Sequence, residues 1–318
     1  MNLPSIEPGS VVVGVGGAPG SALAVRWAAA DAGRRDRRLY LLHAEFDWQQ
    51  FAYPRQFTGQ VENDSYLQQA RQVSQQVLVE ATEQALEVRP DLRVTNVTAL
   101  QPAVPALLDA ARQAALIVVG SHGVGGFGAL LVGSTVTQLA AHADCPVLVV
   151  RGLLPPGSRG GRDGPNAGRV VVGIDGSRSG EDALAFGFEQ AAACEAGLTV
   201  VHVHRHPEAG EPGDTTPPGD DPDDLHHADR CVLAGSLAGW RKRYPGVDTR
   251  FETVSGRVSR ALIDASAGAQ VLAVGAHGRG GLSRLILGSV SRALVHHAIC
   301  PVAVVHQASR SITASRGP

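Results

Sequence analysis

Two stretches of the chain hold glycines at one fixed spacing. Gly120 and Gly123 are followed after nine residues by Gly133 and Ser134, and 155 residues further on Gly275 and Gly278 are followed after nine residues by Gly288 and Ser289. Across 120–150 and 275–305, 16 of 31 positions are identical, which marks an internal duplication. Glycine carries no Cβ, so a loop built on it can lie close against a ligand. Where such a loop enters a helix, the first N–H groups have no partner inside the helix, and the positive end of the helix dipole suits an anion such as phosphate. A hydroxyl at Ser134 or Ser289 can cap that helix or donate to a phosphate oxygen. Tight turns alone would explain one glycine pair; the whole spacing, repeated at corresponding places, favours a phosphate cradle in each copy.

Other reactive residues form weaker patterns. His202, His204 and His206 alternate, which puts them on one face of an extended segment where a transition metal could bind; a packed strand-end histidine with solvated neighbours explains them as well. His226, His227 and Cys231 fall at a helix start, and His122 and His277 lie inside the glycine stretches. No nucleophile stands at a recognisable distance from a base. The chain has no Gly-x-x-x-x-Gly-Lys-Ser/Thr, which argues against P-loop phosphoryl transfer. Gly14, Gly16 and Gly20 miss the spacing of a dinucleotide fingerprint.

Positioning two cradles takes two domains, and the length of 318 residues suits two cores of roughly 150 residues each. With 44% hydrophobic residues but only 4% aromatic, the core must be Val, Leu and Ala. A formal charge of −2 gives no reason to expect nucleic acid or an anionic membrane as partner. No stretch reaches the about 18 apolar residues of a membrane span, and no basic, apolar leader opens the chain, so the expected setting is cytoplasmic. The four cysteines fit that setting: Cys145 and Cys300 precede a strand in each copy and read as small core residues.

Hydrophobic periodicity predicts strands over 11–15, 39–44, 93–99, 116–120 and 146–150, with helices over 21–31, 64–88, 104–112 and after Gly133. Ser21 is the expected cap of the first helix. The series restarts with strands over 170–174, 198–204, 249–254, 270–275 and 302–306 and helices over 181–195, 225–244, 258–267 and after Gly288. Residues 45–63 and the proline-rich 205–224 are expected long loops. Strands of nearly continuous Val, Leu and Ile alternating with helices indicate a parallel sheet covered on both faces, a doubly wound α/β fold, twice over. The expected boundaries are 1–152 for the first domain, a linker over 153–168, 169–307 for the second domain and a flexible tail over 308–318.

The glycine spacing, followed by a helix and a Cys-Pro-Val strand, resembles the universal stress protein family in its tandem, ATP-binding form. The resemblance covers 10–150 and 169–306. It implies five-stranded parallel sheets in the order 3-2-1-4-5, with ATP at the switch point between strands one and four, where Asp175 and Gly275 would meet. Carried over by position, Gly173, Ile174, Asp175 and Val203 would surround adenine and ribose in the second copy, and Gly275, Gly278, Gly288, Ser289 and Val290 would hold ribose and phosphates. The first copy offers Gly14, Val15, Gly16, Ala44, Gly120, Gly123, Gly133, Ser134 and Thr135. Gly16 stands where the family has aspartate, and loss of a hydrogen bond to that carboxylate would weaken the first site by about 1.5–3 kcal/mol, roughly ten- to a hundredfold. The resemblance implies a nucleotide-responsive regulator of stress or dormancy physiology, with a regulatory protein partner. In that strand order 146–150 and 302–306 are edge strands, and because exposed apolar edges invite pairing, the expectation is that the two domains pair through them as the tandem equivalent of a homodimer, with a homodimer of the whole chain as a further step. Slow ATP hydrolysis would need Mg²⁺ on the phosphates near Asp175. The alternative is an adenine-nucleotide hydrolase or adenylyl-transfer enzyme on the same fold, and Asp175-Gly176-Ser177 bears a superficial likeness to a loop of such enzymes.

Overall fold

The computed structural model describes residues 5–17, 19–45, 60–121, 133–151, 164–204, 235, 237–278 and 287–306. The chain divides into two compact units, Met1–Gly152 and Leu153–Pro318. In the first, strands β1 (Val11–Gly14), β2 (Leu39–Ala44), β3 (Val94–Ala99), β4 (Leu116–Gly120) and β5 (Val147–Val150) alternate with helices α1 (Pro19–Arg34), α2 (Gln60–Val88), α3 (Ala103–Ala111) and α4 (Ser134–His142). In the second, β6 (Val170–Ile174), β7 (Leu198–His204), β8 (Thr249–Ser255), β9 (Val271–Gly275) and β10 (Val302–Val305) alternate with α5 (Arg178–Ala193), a helical segment over 237–243 labelled α6, α7 (Val258–Ala265) and α8 (Ser289–His297).

Every described pairing within a unit is parallel, and the strand orders are β3-β2-β1-β4-β5 and β8-β7-β6-β9-β10. This is the expected 3-2-1-4-5 order with helices on both faces. β1, β4, β5, β6, β9 and β10 are buried nearly throughout, as a two-faced parallel sheet requires. The outer strand β8 has no buried residue, is exposed at Arg250 and again from Thr253 to Ser255, and carries Thr, Arg and Glu.

Most expected boundaries fall within two residues of the observed ones. Three differences have local causes. α1 starts at Pro19, whose fixed φ suits a first helical position, so Ser21 lies inside the first turn and is not its cap. α5 starts at Arg178 because Ser177 caps it, its hydroxyl accepting from the Gly180 N–H at 3.1 Å. α2 begins at Gln60, so 60–63 are helical; the rest of that expected loop from 46 on, and all of 205–224, lie outside the described residues. So do most of the expected linker and the tail. The linker's last residues, 164–168, fold against the second unit: Asn166 Nδ2 donates to the Ala265 carbonyl at 2.9 Å, and the Gly168 N–H donates to that of Gly268 at 3.0 Å.

At the amino ends of β6, β7 and β8 one guanidinium joins three strands. Arg169 is buried and donates to Thr199 Oγ1 at 2.9 Å, to the carbonyls of Leu198 and Asp248, each at 2.8 Å, and to Asp248 Oδ2 at 2.6 Å. Gly197 makes room for it: a Cβ there would lie 2.2 Å from Nη1 of Arg169. On the far side of α5 the Phe188 ring stacks against Trp240 and Tyr244, with centroids 5.9 and 5.8 Å apart.

Candidate functional site

In each unit the two central strands part company before they end. β1 stays in register with β2 as far as Gly14 but with β4 only as far as Val13. β6 follows β7 to Ile174 but β9 only to Val172. The carboxyl ends therefore open a crevice at the point where successive crossovers leave in opposite directions.

The second crevice is built around Asp175. Its Oδ1 accepts from the Ser177 N–H at 2.9 Å, a local turn that Gly176 makes possible with φ of 76°. A Cβ at Gly278 would lie 2.9 Å from Asp175 Oδ2, and one at Gly180 would lie 3.0 Å from Oδ1. The carboxylate is thus packed between the start of α5 and the second glycine of the motif. The expected meeting of Asp175 with Gly275 is shifted three residues along. Gly275 is still held in the sheet, opposite Val305, and only after leaving it can the chain pass over the carboxylate. Gly275 instead faces α5, where a Cβ would come 2.6 Å from Ser179 Oγ and 2.8 Å from the Ser179 carbonyl carbon.

Hydrogen bonds close the motif's base. Ser179 Oγ donates to the His277 carbonyl, Ser291 Oγ to that of Gly275 at 2.7 Å, and the Gly288 N–H to that of Ala276 at 3.0 Å. The first unit repeats the last of these, with the Gly133 N–H donating to the Ser121 carbonyl at 3.2 Å. Helices α4 and α8 take Gly133 and Gly288 as N-caps, with no side-chain capping bond at either. Ser134 and Ser289 are exposed first helical residues and do not cap; Thr135 and Val290 follow, half-buried. Among described residues, the buried Nε2 of His277 has no hydrogen-bond partner. On α5 burial pushes the Asp182 carboxyl above the usual carboxylate range, against the pull of Arg178.

Other predicted residues sort by position. Val15 and Ile174 are buried at the strand ends, and Ala44 and Val203 are half-buried at the ends of β2 and β7. Gly14 and Gly173 serve packing: a Cβ would lie 3.2 Å from Leu107 Cδ1 on α3 or 2.8 Å from Leu262 Cδ1 on α7. Gly120 lets α1 approach, since a Cβ there would lie 2.5 Å from the Gly20 carbonyl oxygen. Gly16 is exposed, and its N–H donates to Ser21 Oγ at 3.1 Å. Gly123 lies outside the described residues.

Sequence reasoning passed over one repeated device. His43 Nδ1 donates to the Val15 carbonyl at 2.8 Å, and His202 Nδ1 to the Ile174 carbonyl at 3.0 Å. Each ring ties off the last carbonyl of the strand that leads into the crevice. The signal was there in the matching His-Ala and His-Val ends of β2 and β7. His202 is the buried strand-end histidine, with the His204 ring edge-on at 4.7 Å. Among the described residues no three His, Cys, Asp or Glu side chains form a metal cluster. Among them, too, no helix is long and apolar enough to cross a membrane.

A doubly wound α/β unit with a glycine-started helix at its switch point, built twice in one chain, is the class that this fold and site define. The chain belongs to the universal stress protein family, whose sequence profile matches residues 9–151 and again 166–306. It is 34% identical over 304 residues to universal stress protein Rv2005c of Mycobacterium tuberculosis, covering 93% of this chain and 97% of that one. It is 33% identical over 301 residues to a universal stress protein of Mycolicibacterium smegmatis, covering 93% and 96%. Among solved structures, a universal stress protein from Archaeoglobus fulgidus shares the fold with a TM-score of 0.64 at 17% identity, over 95% of this chain and 100% of that one.

Proposed function

We propose that the protein binds ATP at the carboxyl ends of its central strands and works as a nucleotide-responsive regulator of stress or dormancy physiology. The observation that carries the reading is the Asp175 carboxylate packed against Gly278, the second glycine of the motif that leads to α8, whose N-cap, Gly288, brings no capping side chain. A carboxylate accepts from the donors of a nucleoside, and open helix N–H groups suit its phosphates. Ile174 and Val203 would flank the base, Gly275 and Gly278 let the backbone approach, and Ser289 and Val290 sit at the phosphate end. In the first unit Val15, Gly16, Ala44, Gly120, Gly133, Ser134 and Thr135 hold the corresponding places, with Gly123 assigned by sequence alone. Mg²⁺ would enter on the phosphate chain near Asp175, because a hard divalent ion needs several oxygen ligands.

Ser177, the residue that brings the hydrolase and adenylyl-transfer reading to mind, is engaged as a helix cap, which favours binding over catalysis. The proposal carries a cytoplasmic setting, where ATP is abundant, with a homodimer through an edge strand and a protein partner that reads occupancy. Native mass spectrometry of protein purified without added nucleotide tests it, the expected result being retained ATP. Calorimetry of Asp175→Ala should then show the tighter site weakened by roughly ten- to a hundredfold. Unchanged affinity and stoichiometry would remove Asp175 from the site.

A further inference from the structure

We infer that Ser179 is a positioning residue of the second nucleotide cradle: its hydroxyl latches the glycine motif to the start of α5 and so aims the Gly278 N–H toward the phosphates of a bound nucleotide. The inference rests on the ATP reading above. The first cradle has Gly20 in the corresponding place, each being the second residue of its helix. A Cβ at Gly120 would meet the carbonyl oxygen, carbonyl carbon and Cα of Gly20 at 2.5, 2.6 and 3.2 Å. One at Gly275 would meet Oγ, the carbonyl carbon and Cβ of Ser179 at 2.6, 2.8 and 2.9 Å. The first glycine of each motif thus leaves the same gap beside the opening turn of α1 or α5, and only the second unit has a hydroxyl in it.

That hydroxyl joins the two walls of the second crevice. Ser179 is buried, and its Oγ donates to the His277 carbonyl. A hydroxyl has one proton, so in the 3.3 Å contact between Ser177 Oγ and Ser179 Oγ the donor is Ser177. The Ser177 N–H in turn donates to Asp175 Oδ1, and Asp175 Oδ2 lies against Gly278. The contacts close on themselves through Asp175, Ser177, Ser179, His277 and Gly278. Gly20 has no side chain, so the first unit cannot close such a circuit through that position.

The latch sets the orientation of a peptide plane. The C=O and N–H of a trans peptide point in opposite directions, so with the His277 carbonyl turned to α5 the Gly278 N–H is turned away from it. Gly278 is exposed, and among the described residues its N–H has no acceptor. A fixed donor therefore stands beside the Asp175 carboxylate, open to an anion. Without the Ser179 hydroxyl the plane can rotate, and the phosphates lose that donor part of the time. Adenosine, which has no phosphate, loses nothing by the rotation.

Isothermal titration of the full chain with Mg-ATP and with adenosine tests the latch. S179A should weaken the tight class for ATP by about tenfold and leave adenosine within about twofold. R169A, which loosens the same unit from the opposite ends of its strands, should leave both ligands within about twofold of wild type. G20S puts the missing hydroxyl into the first unit, independently of how well S179A folds, and should tighten the weaker class for ATP by about threefold. ATP affinity unchanged in S179A, ATP and adenosine weakened alike, or no gain from G20S while both classes are seen reduces Ser179 to packing and leaves ATP binding standing. Absence of ATP binding by wild type overturns the ATP reading, and the role of the latch with it.

Discussion

A methyl group added at Gly275 has nowhere to go. Its nearest neighbours are a hydroxyl and a backbone carbon of Ser179, and backbone on a packed helix cannot swing aside. Gly275→Ala should cost about 1–3 kcal/mol, read as a lower denaturant midpoint, and should shift α5 away from β9. Cys145 makes a different test of the same close packing. Burial holds its thiol up at about 12, so at pH 8 it is neutral. Peptide mapping after iodoacetamide should find Cys145 unmodified in the native protein and modified once it is unfolded. At this scale the sequence showed which residues are special more clearly than why. Gly275 and Gly278 share one motif, yet one exists for a helix and the other for a carboxylate. Spacing along the chain cannot tell these apart, because the neighbours that decide, Ser179 and Asp175, lie some hundred residues away. His202 was legible only as a packed strand-end histidine and His43 drew no reading, since the carbonyls they bond are reached through the sheet register.

Among the elements, the strand ends opposite the crevice carry the clearest stability prediction. Arg169 satisfies the Leu198 carbonyl and Thr199 Oγ1 as β7 begins, and Arg169→Ala leaves both without that donor. The expected loss is about 2–3 kcal/mol, measured by chemical denaturation. Asp248, at the exposed end of the same clamp, has its carboxyl held below the usual range by the hydrogen bond from Arg169 and by that residue's charge. A carboxylate with a lowered folded pKa adds stability above its unfolded value of about 3.9 and loses it as pH falls through the folded value. Asp248→Asn should therefore lower the midpoint at pH 7, and the difference from wild type should vanish at strongly acid pH. Element types and order were open to periodicity, because β1, β4, β6 and β9 are unbroken apolar runs that only a two-faced sheet can bury. Helix starts were less open, since Pro19 and Ser177 act through backbone geometry and a cap that hydrophobic patterning does not register.

For the whole molecule, each of the two compact units carries five parallel strands and a buried core, so damage local to one is expected to be felt there first. Hydrogen exchange on Arg169→Ala should show protection lost in peptides from 166–306 and kept in those from 9–151. The duplication itself was plain from the repeated glycine spacing. That the copies differ was also visible, at Gly16, but the sequence could not show that Ser21 bonds the Gly16 N–H, because Ser21 looked like an ordinary helix cap.

The paired strand-end histidines give the duplicated chain a comparison with itself. His43 and His202 each close the last carbonyl before a crevice, so replacing one ring frees a carbonyl at one crevice and leaves the other as it was. A single molecule thus carries both the altered crevice and its own control.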